Sequence, residues 1–355
     1  MDIKLFIKAQ FYTLLFVLLF LFLTLIGASV FGYFKYRSFQ KESGLSVMDS
    51  YRLVKDGWSA DISTTDGYKN ILVLGLDTLE TRGDSPALTD TMMLVSLNTD
   101  SAQIQTLSFP RDLWHEAYQT RINALYFYGQ EKYPESPEQF PTEVMSEMTG
   151  LEIHHTLVLS FEQVSQLIDL LGGVEVDVPV AFIDDEFPRN DVDVTIEHDP
   201  KKLYKTIEFE VGKQVMGGET ALEYIRSRKS GDDEGTDVAR GSRQQLVIES
   251  LISKLKQKDT ITDFSLLGRL YNFYDESFAQ VISIKELVAL GRKLYAVRDN
   301  LSFEGNSLSI YPDNDEGVIW HPPEWQYKGE WVYAIRGEEE FSNYVQEVLL
   351  EGKGQ

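Results

Sequence analysis

At 355 residues with 43% apolar content, the chain is long enough to bury one large core or two smaller ones. Its formal charge of -23 argues against nucleic acid as a partner, which would need a basic face. The absence of cysteine excludes disulfides, thiolate metal sites and cysteine nucleophiles.

No charged residue lies between Lys8 and Lys35, where Leu, Phe, Val and Ile dominate. About twenty apolar residues cross a bilayer, so residues 1–35 read as a short cytoplasmic stub and an uncleaved transmembrane helix. A cleavable signal peptide carries an apolar region of only about 7–15 residues. Lys4 and Lys8 on one side balance Lys35, Arg37 and Lys41 on the other, so charge alone leaves the orientation open. The polar stretch 36–67 reads as a stalk, with a short helix around Val47 to Val54.

Asn70 to Leu76 is a compact apolar run that reads as a buried strand, followed by a loop rich in Gly, Asp, Ser and Pro from Asp77 to Thr89. Thr91–Leu97 and Ile104–Phe109 read as a hairpin across the Asn98–Ser101 turn. A helix is expected at Phe140–Gly150, a strand at His155–Ser160, and a helix at Phe161–Leu171 that Gly172 and Gly173 end. Val174–Val178 alternates as a strand up to Pro179. The acidic stretch from Ala181 to Lys205 reads as an irregular surface loop.

Helices are expected at Gly218–Ser227 and at Arg240–Lys256, the second with Leu246, Val247, Leu251 and Leu255 on one stripe. Ser283 and Glu286 have capping-box spacing before a helix that reaches Leu294. Trp320 to Trp331 reads as a coiled packing segment, and Phe341 to Leu350 as a last helix. Strands interleaved with helices predict an α/β protein, an α-β-α layered sandwich around a central mixed β-sheet. The division expected is a main domain at 68–256 and a helical, Trp-rich extension packing on it at 257–355.

Acids and arginines gather just past strand ends, where α/β proteins place their chemistry. Asp77 and Asp90 flank the first loop; such carboxylates suit a hard divalent ion, and equally suit capping turns or accepting loop N–H groups. Arg111 leaves a strand end beside Asp112, as an anion ligand or as half of a local salt bridge. Arg226 and Arg228 fall on one side if the chain is extended there. Arg240, Arg243 and Gln244 share a helix face, and Asp237 is placed to cap that helix. Cations in a first helical turn oppose the dipole unless an anion compensates, which favours an anion site over a solvated basic face. His154 and His155 lack a third ligand at useful spacing and read as a strand entry. The tryptophan-rich tail reads as core, although such rings also stack on sugars.

Taken in order, Gly75-Leu-Asp77, Thr89-Asp-Thr91-Met-Met-Leu94, Ser108-Phe-Pro-Arg-Asp112, Arg121-Ile-Asn123-Ala124, the Leu171–Pro179 run, the Gly217–Arg228 run and Asp237 through Gln245 resemble the LytR-CpsA-Psr family over Asn70 to Lys256. That resemblance implies a single-pass cell-membrane phosphotransferase whose large domain, with 68–256 as its catalytic part, lies outside the cytoplasm. It would move a glycopolymer from a polyprenyl-diphosphate carrier to a peptidoglycan hydroxyl, with membrane lipid as a further partner. It also implies Mg²⁺ (or Mn²⁺) at Asp77 and Asp90. Arg82, Arg111, Arg228, Arg240 and Gln244 would clamp the diphosphate with Arg226 and Arg243 nearby, and Asp237 would orient the arginines or act as a base. The carrier's tail would enter a hydrophobic tunnel in the sandwich. Leu88 stands where many members have an arginine, and Arg82 is the residue expected in its place. Two other readings stand beside this one: a phosphohydrolase acting on the same lipid, and a non-catalytic anchored module that binds glycans or regulates envelope assembly.

Overall fold

The computed structural model describes residues 24, 26, 29–76, 87–189, 192, 197, 199–230, 233–311 and 317–352. Most of the expected membrane segment, together with Asp77 and Arg82, lies outside these. Among the described residues no helix is long and apolar enough to cross a membrane.

A helical stretch at 29–43 (α1) leads into α2 (Val47–Trp58), which Ser46 and Asp49 open with a reciprocal capping box. Both helices lie against the body of the protein, where the sequence suggests a stalk. The Asn272 side chain donates to the Glu42 carbonyl at 2.5 Å, and a Cβ on Gly57 would come within 2.6 Å of Val288.

β1 (Tyr68–Leu76), β2 (Thr89–Asn98) and β3 (Gln103–Phe109) form an antiparallel meander, the expected hairpin included. A small ribbon of β4 (Trp114–His115) and β5 (Thr120–Arg121) precedes α3 (Leu125–Lys132) and α4 (Gln139–Thr149). β6 (His155–Ser160) pairs parallel to β1, and Ser160 caps α5 (Phe161–Leu170) with a second capping box. A smaller lobe follows, with β7 (Val174–Val178), β8 (Phe182–Pro188), α6 (Pro200–Leu203), β9 (Tyr204–Phe209), β10 (Gly212–Met216) and α7 (Gly218–Arg226). β7 pairs with β10 and β8 with β9. The expected irregular loop at 181–205 is therefore partly a ribbon, held by Phe182 and Phe187 on its buried side.

α8 (Asp237–Lys256), α9 (Lys258–Thr262), α10 (Phe264–Phe278) and α11 (Ile284–Ala296) complete the helical layer. β11 (Ser302–Ser307) then returns to pair parallel with β3, so the five-stranded mixed sheet runs β11-β3-β2-β1-β6. β12 (Ile310–Tyr311), β13 (Ile319–Trp320) and β14 (Ala334–Ile335) make a short second sheet, and α12 (Glu338–Glu351) ends the chain's described part. The stretch after 256 thus supplies a strand of the central sheet as well as packing on it.

The two faces of that sheet differ. On one, Leu72, Leu74, Met92, Leu94, Leu107 and Phe109 pack beneath α4 and α12 and are fully buried, each such side chain contributing about 1.5–3 kcal/mol. On the other, Ile71, Val73, Val95, Ile104, Leu157 and Leu159 are only half-buried and join neither of the two core clusters. Register places them together on a face that Met93 and Leu97 also occupy as buried residues: Ile71 opposes Val95, Val73 opposes Leu157, and Leu97 opposes Ile104. α8 and α11 lie over this face, with Gln244 bonded to Thr91 and Glu286 bonded to the buried Lys69 and to His155.

Candidate active site

One cleft opens at the end of the sheet, lined by Asp90, Thr91, the Ser108–Pro110 turn, Arg240, Gln244 and Tyr333 among others. A break in strand register creates it. Gly75 opposes Thr91 and Leu76 opposes Thr89, so Asp90 is the extra residue of a bulge with no partner on β1. A bulge of this kind re-aims a side chain at a strand end. Glycine is required opposite, because a Cβ on Gly75 would lie 2.9 Å from the Thr91 Cβ.

Arg111 leaves β3 and donates from Nη1 to Asp90 Oδ1 at 2.6 Å, while its Nε lies 3.5 Å from Asp112 Oδ2. Asp112 is buried and also faces Arg121 at 3.3 Å, whose other nitrogen reaches Glu330 at 3.1 Å. The local Arg111–Asp112 pair is therefore one link in a longer chain of charges, and the shorter contact is to Asp90. Burial pushes the Asp90 carboxyl up. The charge and hydrogen bond of Arg111, with Arg240 and Arg228 beyond it, outweigh that and hold it below the usual carboxylate range. Arg111 thus holds Asp90 ionised by direct contact, and Arg240 and Arg228 add their charge from other elements.

Arg240 is 5% exposed on the first turns of α8. Thr236, rather than the expected Asp237, caps this helix by accepting the Ala239 N–H at 3.2 Å, and Asp237 is the first helical residue. Two adjacent residues can both cap, and the earlier one takes the extended backbone that the role requires. Gln244, one turn beyond Arg240, donates to Thr91 Oγ1 at 2.8 Å.

The remaining expected ligands divide. Arg228 lies in the segment after α7, where its backbone N–H donates to Asp184 Oδ2 at 3.1 Å. That same oxygen accepts from the Ser227 hydroxyl at 2.7 Å and the Lys229 N–H at 3.1 Å, and Oδ1 accepts from the Glu186 N–H. Asp184 is 1% exposed and sets the path of the Arg228 segment. The sequence reading missed it, although an acid on the buried phase of a strand, between Phe182 and Phe187, has to be satisfied by such bonds.

Arg226 ends α7 with its guanidinium over the rings of Phe161 at 4.7 Å and Phe187 at 5.5 Å. It does not share an extended face with Arg228, because the helix runs through Arg226 before the chain extends. Arg243 departs further from expectation. It is 1% exposed and donates to the carbonyls of Tyr224, Ser227 and Glu234 and to the Glu234 carboxylate, all within 2.9 Å. A guanidinium so committed ties α8 to α7 and the Arg228 segment, whereas Arg240, three residues earlier, lines the cleft.

Among the described residues no group of three or more His, Asp or Glu could hold a metal ion. Among the described residues lining the cleft, Asp90 offers an ionised oxygen donor, which fits the one or two carboxylates that Mg²⁺ takes beside phosphate oxygens.

A profile of the LytR_cpsA_psr family matches residues 34–310. The chain belongs to that family. It is 28% identical over 257 residues to the Bacillus subtilis polyisoprenyl-teichoic acid–peptidoglycan teichoic acid transferase TagV, covering 69% of this chain and 59% of TagV. It is 26% identical over 276 residues to TagU, a transferase of the same description from Oceanobacillus iheyensis, covering 76% and 72%. The chain therefore spans well under two thirds of the TagV length. In three dimensions it resembles crystalline B. subtilis TagV with a TM-score of 0.55 at 21% identity, over 81% of this chain and 98% of that one. The TagT structure titled as bound to LI-WTA gives 0.51 at 18% identity, over 82% and 95%. These likenesses establish the mixed α/β fold with its central mixed sheet.

Proposed function

We propose that this LytR_cpsA_psr member transfers a glycopolymer from a polyprenyl-diphosphate carrier to a peptidoglycan hydroxyl. The observation that carries the reading is the Arg111–Asp90 ion pair, with the buried Arg240 beside Asp90 in the cleft, at the end of a half-buried apolar sheet face. A polyprenyl diphosphate needs those two surroundings side by side, cationic for the head and apolar for the tail. The relatives' description as teichoic acid transferases supports the same chemistry.

Phosphoryl transfer depends on placement and charge stabilisation more than on covalent help from the protein. The arginines neutralise the diphosphate and stabilise the charge that develops on its oxygens. The acceptor hydroxyl attacks the phosphorus that bears the glycan. The bond from that phosphorus to the bridging oxygen breaks, polyprenyl phosphate departs with the electron pair, and the hydroxyl proton passes to the departing phosphate or to solvent. Asp90 binds a proton too weakly to take it, so its role is to hold Arg111 and to offer an oxygen to a cation. Asp90, with Asp77, would hold Mg²⁺, which when bound supplies Lewis-acid polarisation of phosphate oxygens. A single-pass anchor within residues 1–35, with the large domain outside the cytoplasm, would keep the cleft beside the carrier's membrane.

The test is to incubate the full chain with labelled lipid-diphosphate glycan, Mg²⁺ and peptidoglycan oligomers. Label joined to the oligomer supports the transferase. Free phosphoglycan would indicate a hydrolase, and unchanged lipid a binding module.

A further inference from the structure

The tail segment around Trp331 is not used by the diphosphate site, yet it is bonded to the loop that carries Arg111. The Tyr333 N–H donates to the Asp112 carbonyl at 3.0 Å, and the Trp114 N–H to the Tyr333 carbonyl at 2.7 Å. The Tyr333 ring lines the cleft with Asp90 and Arg240. Trp331 meets it edge-to-face at 4.9 Å between centroids, and His321 lies 4.7 Å from Trp331 and 6.3 Å from Tyr333, closing a three-ring cluster. Trp331 is 40% exposed, whereas Val332 between the two rings is fully buried. An aromatic strip therefore runs from the cleft wall to solvent, with Trp331 as its most exposed ring.

Its edges are polar. Glu330 pairs with Arg121 at 3.1 Å, and the imidazole Nδ1–H of His321 donates to the Val332 carbonyl at 2.8 Å. A lipid tail would need a broad apolar surface. A pyranose instead has one apolar C–H face and a rim of hydroxyls, matching a single ring bordered by hydrogen-bonding groups. The strip also starts on the side of the sheet away from the half-buried face, since Tyr333 belongs to the core beneath α4 and α12. A diphosphate held at the sheet's end would send its tail to one face and its sugar to the other.

We infer that Trp331, backed by Tyr333, forms a saccharide subsite that stacks a first sugar of the lipid-linked donor. This rests on the transferase reading above and adds to it where the glycan lies. The experiment is calorimetric titration of the full chain in detergent micelles with two probes, bare polyprenyl diphosphate and the same lipid carrying an N-acetylhexosamine disaccharide. Trp331→Ala should lower the ratio of affinities, sugar-bearing over bare, by about tenfold, the loss expected for one stacking contact. Trp331→Phe should keep most of that ratio, and a thermal melt checks that both variants fold. An unchanged ratio overturns the subsite. So does a defect confined to the concentration dependence on peptidoglycan acceptor, which would give the strip to the acceptor. Failure of the unaltered chain to bind either lipid would instead sink the transferase reading itself.

Discussion

Arg111 and Asp90 meet at 2.6 Å across the end of the central sheet, one from the turn after β3 and the other from the bulge in β2. The contact joins the two strand ends that frame the cleft and holds the Arg111 guanidinium against Asp90, which lines it. Arg111→Ala should lower transfer by about 10²-fold or more, as removal of a preorganised charge-stabilising donor does. Single-turnover transfer of labelled glycan checks this. Near-normal turnover in a folded variant would remove Arg111 from the chemistry.

The same pair predicts a pH dependence. Asp90 titrates below the usual carboxylate range in the folded chain, so its contribution to stability is present above the unfolded pKa of about 4 and is lost as pH falls through the folded value. The difference in melting temperature between the wild type and Asp90→Asn should therefore stay constant from pH 8 to 5. It should shrink only below about pH 4. A difference that changes between pH 5 and 7 would show that Asp90 is not held ionised by its arginines.

Arg240 and Arg243 sit three residues apart on α8 and should fail in different ways. Arg243→Ala strips three buried carbonyls and the Glu234 carboxylate of their donor, a loss of about 3–5 kcal/mol typical of breaking a buried charge network. Arg240→Ala should leave the melt closer to wild type while transfer falls about 10²-fold. Parallel calorimetry and activity assays decide between them; equal destabilisation by both variants would contradict the assignment.

Much of this was readable from local pattern. The Asn70–Leu76 strand, the hairpin after it, the capped Phe161 helix and the amphipathic stripe on α8 each declare themselves through period and punctuation. Of the residues the LytR-CpsA-Psr motifs named, Arg240 and Gln244 line one cleft with Asp90, and Arg111 pairs with that acid. What local pattern could not supply is pairing at a distance. β11 joins β3 from some two hundred residues away along the chain, and its Ser302–Ser307 sequence carries little apolar signal. The β8–β9 ribbon hides in acidic sequence because Asp184 occupies a buried position that only its hydrogen bonds explain. Arg243 looked equivalent to Arg240 on a helical wheel, and only tertiary packing separates the buried side of α8 from the side at the cleft.

Asp184 supports a further prediction. Its carboxylate gathers Ser227, Arg228 and Lys229 into one turn without itself being part of the cleft lining. Asp184→Ala should cost about 2–3 kcal/mol by leaving buried donors unsatisfied. It should also weaken diphosphate binding by about tenfold, through lost placement of Arg228. Asp184→Asn keeps one oxygen acceptor and should restore much of the binding. An unaltered binding constant for pyrophosphate in the alanine variant would separate Asp184 from the site.

The half-buried sheet face can be tested by filling it. Val95 opposes Ile71 at its centre and belongs to neither core cluster. In a close-packed core a Val→Phe change costs about 1–3 kcal/mol by overpacking. Where space is kept for an apolar tail, Val95→Phe should instead leave the melting temperature unchanged or raise it, because the added ring buries more surface. The same variant should weaken binding of long-chain polyprenyl diphosphate by tenfold or more while retaining affinity for inorganic pyrophosphate, which uses the arginines alone. Overpacking loss with unaltered lipid affinity would show this face to be ordinary core, and would leave the carrier's tail to be placed elsewhere.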